Sequence, residues 1–325
     1  MIGKTILLGA GGYIGQAFAD EMRRREVHFI ARSRAQVNYA DFETLLKFLK
    51  ETKPDFLVNA AGYTGRPNVD ACEIARADTL AGNTMLPATI AHACRAANVT
   101  WGHVSSGCIF SGAKIRGESG WRVEKDLSSL ELKQLAEEHP DAIAGFNETD
   151  EPNFSFRQPP CSFYSGSKAM GEEAIGTTGE AYVWRLRIPF DEIDNSRNYL
   201  SKVQRYQKVY DNVNSISHRG DFVRACLDMR EVRAPFGIYN VTNPGFVTTR
   251  HVIHAIERIL KPTRKFEFWK DDQEFYRVAA KTPRSNCVMD VSKLLKAGVR
   301  IRSVEEALEF SLKNWKPEMK GAQVG

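Results

Sequence analysis

Tyr164 stands four residues before Lys168 in the segment Ser162-Phe163-Tyr164-Ser165-Gly166-Ser167-Lys168. At the start of a helix, that spacing puts both side chains on one face. A lysine ammonium beside a phenol favours phenolate, so the group can exchange a proton near neutral pH. An ordinary amphipathic helix would produce the same pair by packing alone. What favours chemistry is a second feature near the other end, Gly9-Ala10-Gly11-Gly12-Tyr13-Ile14-Gly15. This turn follows an apolar strand pattern and opens a helical one, and its glycines let the backbone approach a pyrophosphate at a helix N-terminus. A proton-exchanging phenol joined to a dinucleotide-binding turn describes hydride transfer to or from a carbonyl.

Three further clusters fit that chemistry. The second strand pattern ends in Ala31-Arg32-Ser33-Arg34, with no carboxylate where an NAD ribose hydroxyl is usually held. Two guanidiniums and a hydroxyl there suit a 2′-phosphate, which points to NADPH rather than NAD; a solvated basic loop is the alternative. Asn59-Ala60-Ala61-Gly62 follows the third strand, and its small residues would let a cofactor ribose lie against the backbone, although Asn59 equally suits a strand-end turn. Ser105-Ser106-Gly107-Cys108 follows the fourth strand. A hydroxyl there can polarise a carbonyl alongside Tyr164, while Lys168 bonds the nicotinamide ribose and lowers the phenol pKa.

These groups need a scaffold that gathers them. Strand patterns at Thr5–Leu8, Val27–Ala31, Phe56–Asn59, Trp101–Ser105 and Tyr182–Ile188 alternate with helical patterns at Ile14–Arg24, Asp41–Lys50, Asn83–Ala97 and Tyr164–Ile175. Such alternation predicts an α/β fold, a Rossmann-type doubly wound parallel sheet with helices on both faces. In such sheets ligands bind at the carboxyl ends of the strands, where every cluster above falls. Beyond Pro189 the alternation weakens. Helices are predicted at Tyr199–Tyr206, Thr249–Leu260, Asp271–Ala280 and Val304–Asn314, with a turn at Asn243–Gly245. The expected organisation is a cofactor-binding domain over 1–189 and a smaller substrate lobe over 190–325, some of whose segments return to the sheet. The polar stretch 112–153 carries a short amphipathic helix, Leu127–Glu138, and is expected as an insertion over the cleft or at a subunit edge.

Composition narrows the partners. The net charge of +5 is modest and the one basic run, Arg23-Arg24-Arg25, is short, which argues against nucleic acid and suits an anionic small molecule. No stretch approaches the roughly 20 apolar residues of a membrane span. Met1 leads directly into a strand with no charged-then-apolar leader, and the six cysteines form no Cys-x-x-Cys pair, so a cytoplasmic protein is expected. His251 and His254 have helical spacing but no acidic or thiol partner nearby in sequence, and no metal is expected.

A longer set of segments carries a resemblance. They are Asn59–Gly62, Thr64-Gly-Arg66-Pro-Asn68-Val-Asp70 with Cys72-Glu73, Gly107-Cys108-Ile-Phe110, and Phe163-Tyr164-Ser-x-x-Lys168-Ala-Met170. Arg185-x-Arg187-x-Pro189, Arg197-Asn198 with Lys202, Thr242–Gly245 and Pro283-Arg284-Ser-Asn286 continue the series. In this order they resemble the extended short-chain dehydrogenases/reductases of the dTDP-4-dehydrorhamnose reductase branch, most nearly the plant-type bifunctional 3,5-epimerase/4-reductase. The resemblance implies a nucleotide-linked 4-keto-6-deoxyhexose as substrate, Ser106, Tyr164 and Lys168 as reductase residues, and Cys108 with Lys202 as the epimerising pair. It further implies substrate contacts from Arg66, Asn68, Asn198 and Arg284, and a homodimer through the helices near 83–97 and 164–175. A 4-ketoreductase without epimerase activity, with Cys108 merely packed, is the nearest alternative; a non-catalytic NADP-binding regulatory subunit is the rival from another class. The chain departs from the pattern in the length of 112–153, in Leu86 where the helix usually has glycine, and in His218–Asp221, a region that helps bind the nucleotide base in the family.

Overall fold

The computed structural model describes residues 2–66, 68–176 and 179–317. Pro67 of the Thr64–Asp70 stretch and the last residues of the expected lobe, 318–325, lie outside the described residues.

Strands β1 (Thr5–Leu8), β2 (Phe29–Arg32), β3 (Phe56–Asn59) and β4 (Thr100–Ser106) form most of a six-stranded sheet. A strand at Ala181–Leu186 and another at Gly237–Asn240 complete it beside β4, and all the pairings are parallel. The chain runs outward from β1 to β2, then crosses back to β3 on the other side of β1. That reversal opens a crevice between the carboxyl ends of β1 and β3.

Strand residues alternate between two cores. Leu7, Val58, Tyr182 and Trp184 face helices α1 (Tyr13–Arg24) and Arg219–Glu231 on one side, packing on Phe18, Met22, Phe222 and Cys226. Ile6, Leu8, Leu57 and Trp101 face the other side and pack on α2 (Phe42–Thr52) and α4 (Leu86–Ala97) through Leu45, Leu49, Ile90 and Cys94. The fold is therefore the expected α/β sheet, wound on both faces. The helix Arg219–Glu231 and the strand after it belong to the main sheet's packing although they lie past residue 189. The helix's apolar spacing is interrupted by arginines and acids, and the strand is only four residues long, so the sequence pattern did not single them out.

One predicted helix begins differently. Ahead of α4 the chain forms a short helix, α3 (Arg76–Leu80), then one wide turn over Ala81–Met85 with π geometry. Asn83 explains it: its side chain accepts from the Tyr63 amide at 2.9 Å and donates to the Tyr63 carbonyl at 2.8 Å and to Ser167 at 3.1 Å. The turn lies against Gly171, where any Cβ would run into the Asn83 carbonyl. Leu86, in place of the usual glycine, is simply buried.

The insertion forms an antiparallel three-stranded sheet, β5 (Ala113–Gly117), β6 (Gly120–Glu124) and β7 (Ile143–Ala144), and a helix α5 (Leu130–Glu138) capped by Ser129. It joins the C-terminal half: Gly112 donates to the Asn286 carbonyl at 2.7 Å, and Phe146 donates to the Val288 carbonyl at 2.9 Å.

Candidate active site

The glycine turn lies in the crevice between β1 and β3. Gly9 has φ of +78°, and a Cβ on it would sit 2.5 Å from the Ala61 amide nitrogen, so only glycine allows Asn59–Gly62 to come so near. Gly15 is equally closed in, by the Gly9 carbonyl. Gly11 meets nothing within 4 Å and is exposed with Gly12. Helix α1 has Gly12 as its N-cap and no side-chain cap, whereas α2 is capped by Asp41. First-turn N–H groups left uncapped beside open glycine backbone form a cradle for a phosphate. Tyr13 and Ile14 enter that cradle through their backbone. The Tyr13 ring instead lies under the Arg219 guanidinium, 4.4 Å from its centroid, and burial pushes its phenol up.

Arg32 pairs in register with Leu8, one residue before the glycine turn. Arg32 lies over the Phe48 ring and Arg34 over Tyr39, both at 5.8 Å, while the Ser33 hydroxyl bonds Gln36 at 3.1 Å. Arg34 and Ser33 are exposed at the rim of the crevice. Asn59 takes the turn role that the sequence also allowed: it is fully buried, accepting from the Ala61 amide at 3.0 Å and bonding His103 at 3.0 Å. It shapes the turn that presents Ala60, Ala61 and Gly62, and its own side chain is not offered to a cofactor.

Across the sheet, alternation along β4 separates the two serines. Ser105 turns to Glu172 at 2.5 Å. Ser106 turns the other way and accepts from the Cys108 amide at 3.2 Å, starting the tight turn Gly107–Ile109. Helix α6 (Phe163–Ile175) is capped by Ser162 and pinned to the sheet by a buried Glu172–Arg185 pair at 2.6 Å. It carries Tyr164 and Lys168 toward the same turn, and Tyr164 packs against the cluster of Cys108, Phe110 and Cys287. Lys168 donates to the Val104 carbonyl at 3.1 Å.

The electrostatics amend one expectation. Burial pushes the Tyr164 phenol up, and the neighbours that pull it back are Ser106 and Arg187 rather than Lys168. Lys168 is itself lowered by burial. The phenol therefore keeps its proton across neutral pH, the state a proton donor needs. Burial also raises the Cys108 thiol, opposed by Ser106, Ser165, Arg187 and Lys168.

Lys202 lies on the helix Tyr199–Arg205, lowered by burial and by Arg197, whose guanidinium bonds the Gly65 carbonyl at 3.2 Å. Arg66 is exposed on that same loop. Asn68 caps the turn Val69–Glu73, and Arg284 holds Asp70 with two bonds of 2.7 and 2.8 Å. Asn198 is a correction. It is fully buried, and its amide donates to the Asp191 carbonyl, the Asp191 carboxylate and the Ile193 carbonyl, at 2.7–2.8 Å, while its oxygen caps the helix carrying Lys202. Nothing remains for a sugar to bond. The departing segment His218–Asp221 sits at the start of its helix, where Asp221 takes Arg302 and Arg224 and Arg219 takes Asp191 at 2.7 Å.

Sequence reasoning noted Arg187 only as part of a motif. The structure puts it beside Gly107, where a Cβ would come 3.6 Å from its Cδ. Two arginines at i and i+2 in an otherwise apolar strand were the available signal.

Comparison with known proteins identifies the family. The family model described as RmlD substrate binding domain matches residues 3–316. A bifunctional dTDP-4-dehydrorhamnose 3,5-epimerase/dTDP-4-dehydrorhamnose reductase of Arabidopsis thaliana is 29% identical over 93% of the chain and 90% of its own length. A trifunctional UDP-glucose 4,6-dehydratase/UDP-4-keto-6-deoxy-D-glucose 3,5-epimerase/UDP-4-keto-L-rhamnose-reductase of the same plant is 30% identical over 94% of the chain, which spans 41% of that relative's length. Among solved structures, the UDP-rhamnose synthase of Acanthamoeba polyphaga mimivirus superposes with a TM-score of 0.79 at 21% identity, covering 97% of this chain and 100% of its own. A dTDP-4-dehydrorhamnose reductase of Bacillus anthracis, solved in complex with NADP, gives a TM-score of 0.73 at 17% identity over 95% of this chain and 98% of its own. With residues 3–316 matched by the family model, the chain belongs to the RmlD substrate-binding-domain family.

Proposed function

We propose that this protein is an NADPH-dependent 4-ketoreductase of nucleotide-linked 4-keto-6-deoxyhexoses that also epimerises the sugar, yielding a rhamnose-type product. The observation that carries the reading is the meeting of Ser106, Tyr164 and Cys108 on one wall, beside a glycine cradle built for a phosphate. Bound in that cradle, with Arg32, Ser33 and Arg34 at a 2′-phosphate and Ala60–Gly62 along a ribose, NADPH would supply a hydride to C4.

The chain's own groups do the rest. Ser106 and Tyr164 bond the C4 carbonyl oxygen, and Tyr164 gives that oxygen its proton as the alcohol forms. Lys168, held on the Val104 carbonyl, orients the ribose and recharges the phenol. For epimerisation, the C3 and C5 protons are acidified by the neighbouring ketone. Cys108 removes one as thiolate, and Lys202, whose lowered pKa makes it a readier donor, returns one from the opposite face. Arg284 and the Arg66–Asn68 loop are proposed to approach the nucleotide and sugar. The names of the plant relatives, which pair epimerase with reductase, support the double activity.

One observation favours a second reading, reduction alone: burial keeps the Cys108 thiol protonated, as in a merely packed cysteine. Incubation with the 4-keto sugar in heavy water without NADPH separates the two. Deuterium at C3 or C5 is expected, and its absence would leave only the reductase. Consumption of NADPH with UDP-, dTDP- and GDP-linked 4-keto-6-deoxyglucose tests the reductase and identifies the base. We also expect a homodimer, since Met85 and Met170 are exposed beside the contact of α4 and α6; light scattering tests the assembly. A cytoplasmic location is proposed from the cysteine pattern of the sequence alone.

A further inference from the structure

Three arginines are buried in the described structure: Arg185 at 2% exposure, Arg187 at 6% and Arg219 at 8%. Two of them show how this fold handles a structural charge. Arg185 has Glu172 at 2.6 Å, and Arg219 has Asp191 at 2.7 Å. Among the described residues no carboxylate pairs with Arg187. Its guanidinium donates to two neutral oxygens, the Asn214 side chain at 2.6 Å and the Ser285 carbonyl. One buried nitrogen is unpartnered on each of the three arginines, so the missing carboxylate is what sets Arg187 apart. A buried cation without a counter-charge is costly, and fold stability gives no return for it.

Its place in the sheet says where the missing charge comes from. The register pairs Ser106 with Leu186, so Arg187 follows directly beside the Ser106–Cys108 turn. The next residue, Ile188, has φ of +38°, a region that β-branched residues rarely enter. The chain thus holds strain where it presents this side chain. The field of Arg187 reaches the Tyr164 phenol and the Cys108 and Cys287 thiols, pulling all three down.

Resting on the function proposed above, we propose that Arg187 holds the negative charge that develops on the sugar's carbonyl oxygen. That charge arises twice. When Cys108 takes a proton from a carbon next to the ketone, the C–H electron pair becomes a ring double bond and the carbonyl π pair moves to oxygen. When the carbonyl carbon takes up a hydride, the same π pair moves to the same oxygen, until Tyr164 protonates it. One cation serves both steps, whereas a diphosphate contact would serve neither.

The test uses Arg187→Gln and Arg187→Lys in the full chain. Arg187→Gln is expected to lower kcat by about 10²–10³-fold with KM changed less than about threefold, and Arg187→Lys by about 10-fold. NADPH affinity, read by fluorescence titration, stays at the wild-type value. Without substrate, the pH at which iodoacetamide alkylates Cys108, followed by mass spectrometry, is expected to move upward in Arg187→Gln. An unchanged kcat, or a raised KM at wild-type kcat as a diphosphate contact would give, overturns the assignment. So does an unmoved alkylation profile. Should Arg187→Gln not fold, Arg187→Lys decides, a kcat loss below about twofold being the contrary result. If the wild type turns over none of the keto sugars, the functional reading fails instead, and the alkylation profile still judges the charge.

Discussion

At the scale of the residue, Tyr164 and Cys108 share one environment, and the proposed chemistry asks opposite protonation states of them. Burial raises both groups, which suits a phenol proposed to arrive with its proton and opposes a thiol proposed to lose one. Reduction should therefore stay nearly flat from about pH 6 to 9, because the phenol titrates above its ordinary value of about 10. Deuterium exchange should rise throughout that interval, because thiolate becomes more abundant only toward and beyond the ordinary cysteine value of about 8.5. Parallel pH profiles of the two steps check the assignment; coincident ones would refute it. Tyr164→Phe is expected to lower kcat for reduction by at least about 10²-fold while NADPH affinity changes less than about threefold, measured by steady-state kinetics and titration.

At the scale of the element, the turn from β1 to α1 contains glycines with two different jobs. Gly15 is closed in by the Gly9 carbonyl, so Gly15→Ala must displace the start of α1 and should cost about 1–3 kcal/mol in a denaturant melt. Gly11 has open space around its missing Cβ. Gly11→Ala should keep stability within about 0.5 kcal/mol of wild type. Its methyl group would nonetheless intrude on a phosphate in the cradle, so NADPH affinity should fall about 10-fold or more. Equal affinity for that variant would mean the pyrophosphate lies elsewhere.

At the scale of the whole molecule, distant segments are tied across the site by polar bonds. Arg284 grips Asp70, while Glu73 accepts from Thr282 at 2.8 Å and from the Phe163 amide at 2.7 Å, one residue before Tyr164. A double-mutant cycle on Asp70→Asn and Arg284→Gln should give a coupling of about 1–2 kcal/mol for this largely buried bidentate pair, and each single variant should raise KM. Zero coupling would mean Arg284 is free for substrate alone. A second tie is acid-sensitive. The His218 ring holds the Glu192 carboxyl down at about 2, despite partial burial. A depressed carboxylate stabilises the fold fully above its unfolded value of about 4.3, and that contribution disappears as pH falls toward 2. Glu192→Gln should therefore flatten the acid limb of a thermal-stability profile between about pH 5 and 2, with a loss near neutrality of at most about 3 kcal/mol. An unaltered limb would assign acid unfolding to other groups.

Much of this was legible in the chain itself. Strand and helix periods, the glycine turn and the four-residue step from Tyr164 to Lys168 are dictated by neighbours along the backbone, so they can be read without knowing the fold. What the sequence could not decide is which partner a polar side chain meets. Asn59 and Asn198 carry the chemistry of ligand contacts, yet each is spent on backbone and side-chain groups that only the fold brings within reach. Arg185 lies on the strand Ala181–Leu186 and Arg187 just past its end, two residues on; a carboxylate arrives from α6 for the first, and neutral oxygens from segments near 214 and 285 for the second. The difference between a paired charge and an unpaired one is thus made by residues remote in sequence, because electrostatic free energy depends on the distance and burial of partners that tertiary packing alone assembles.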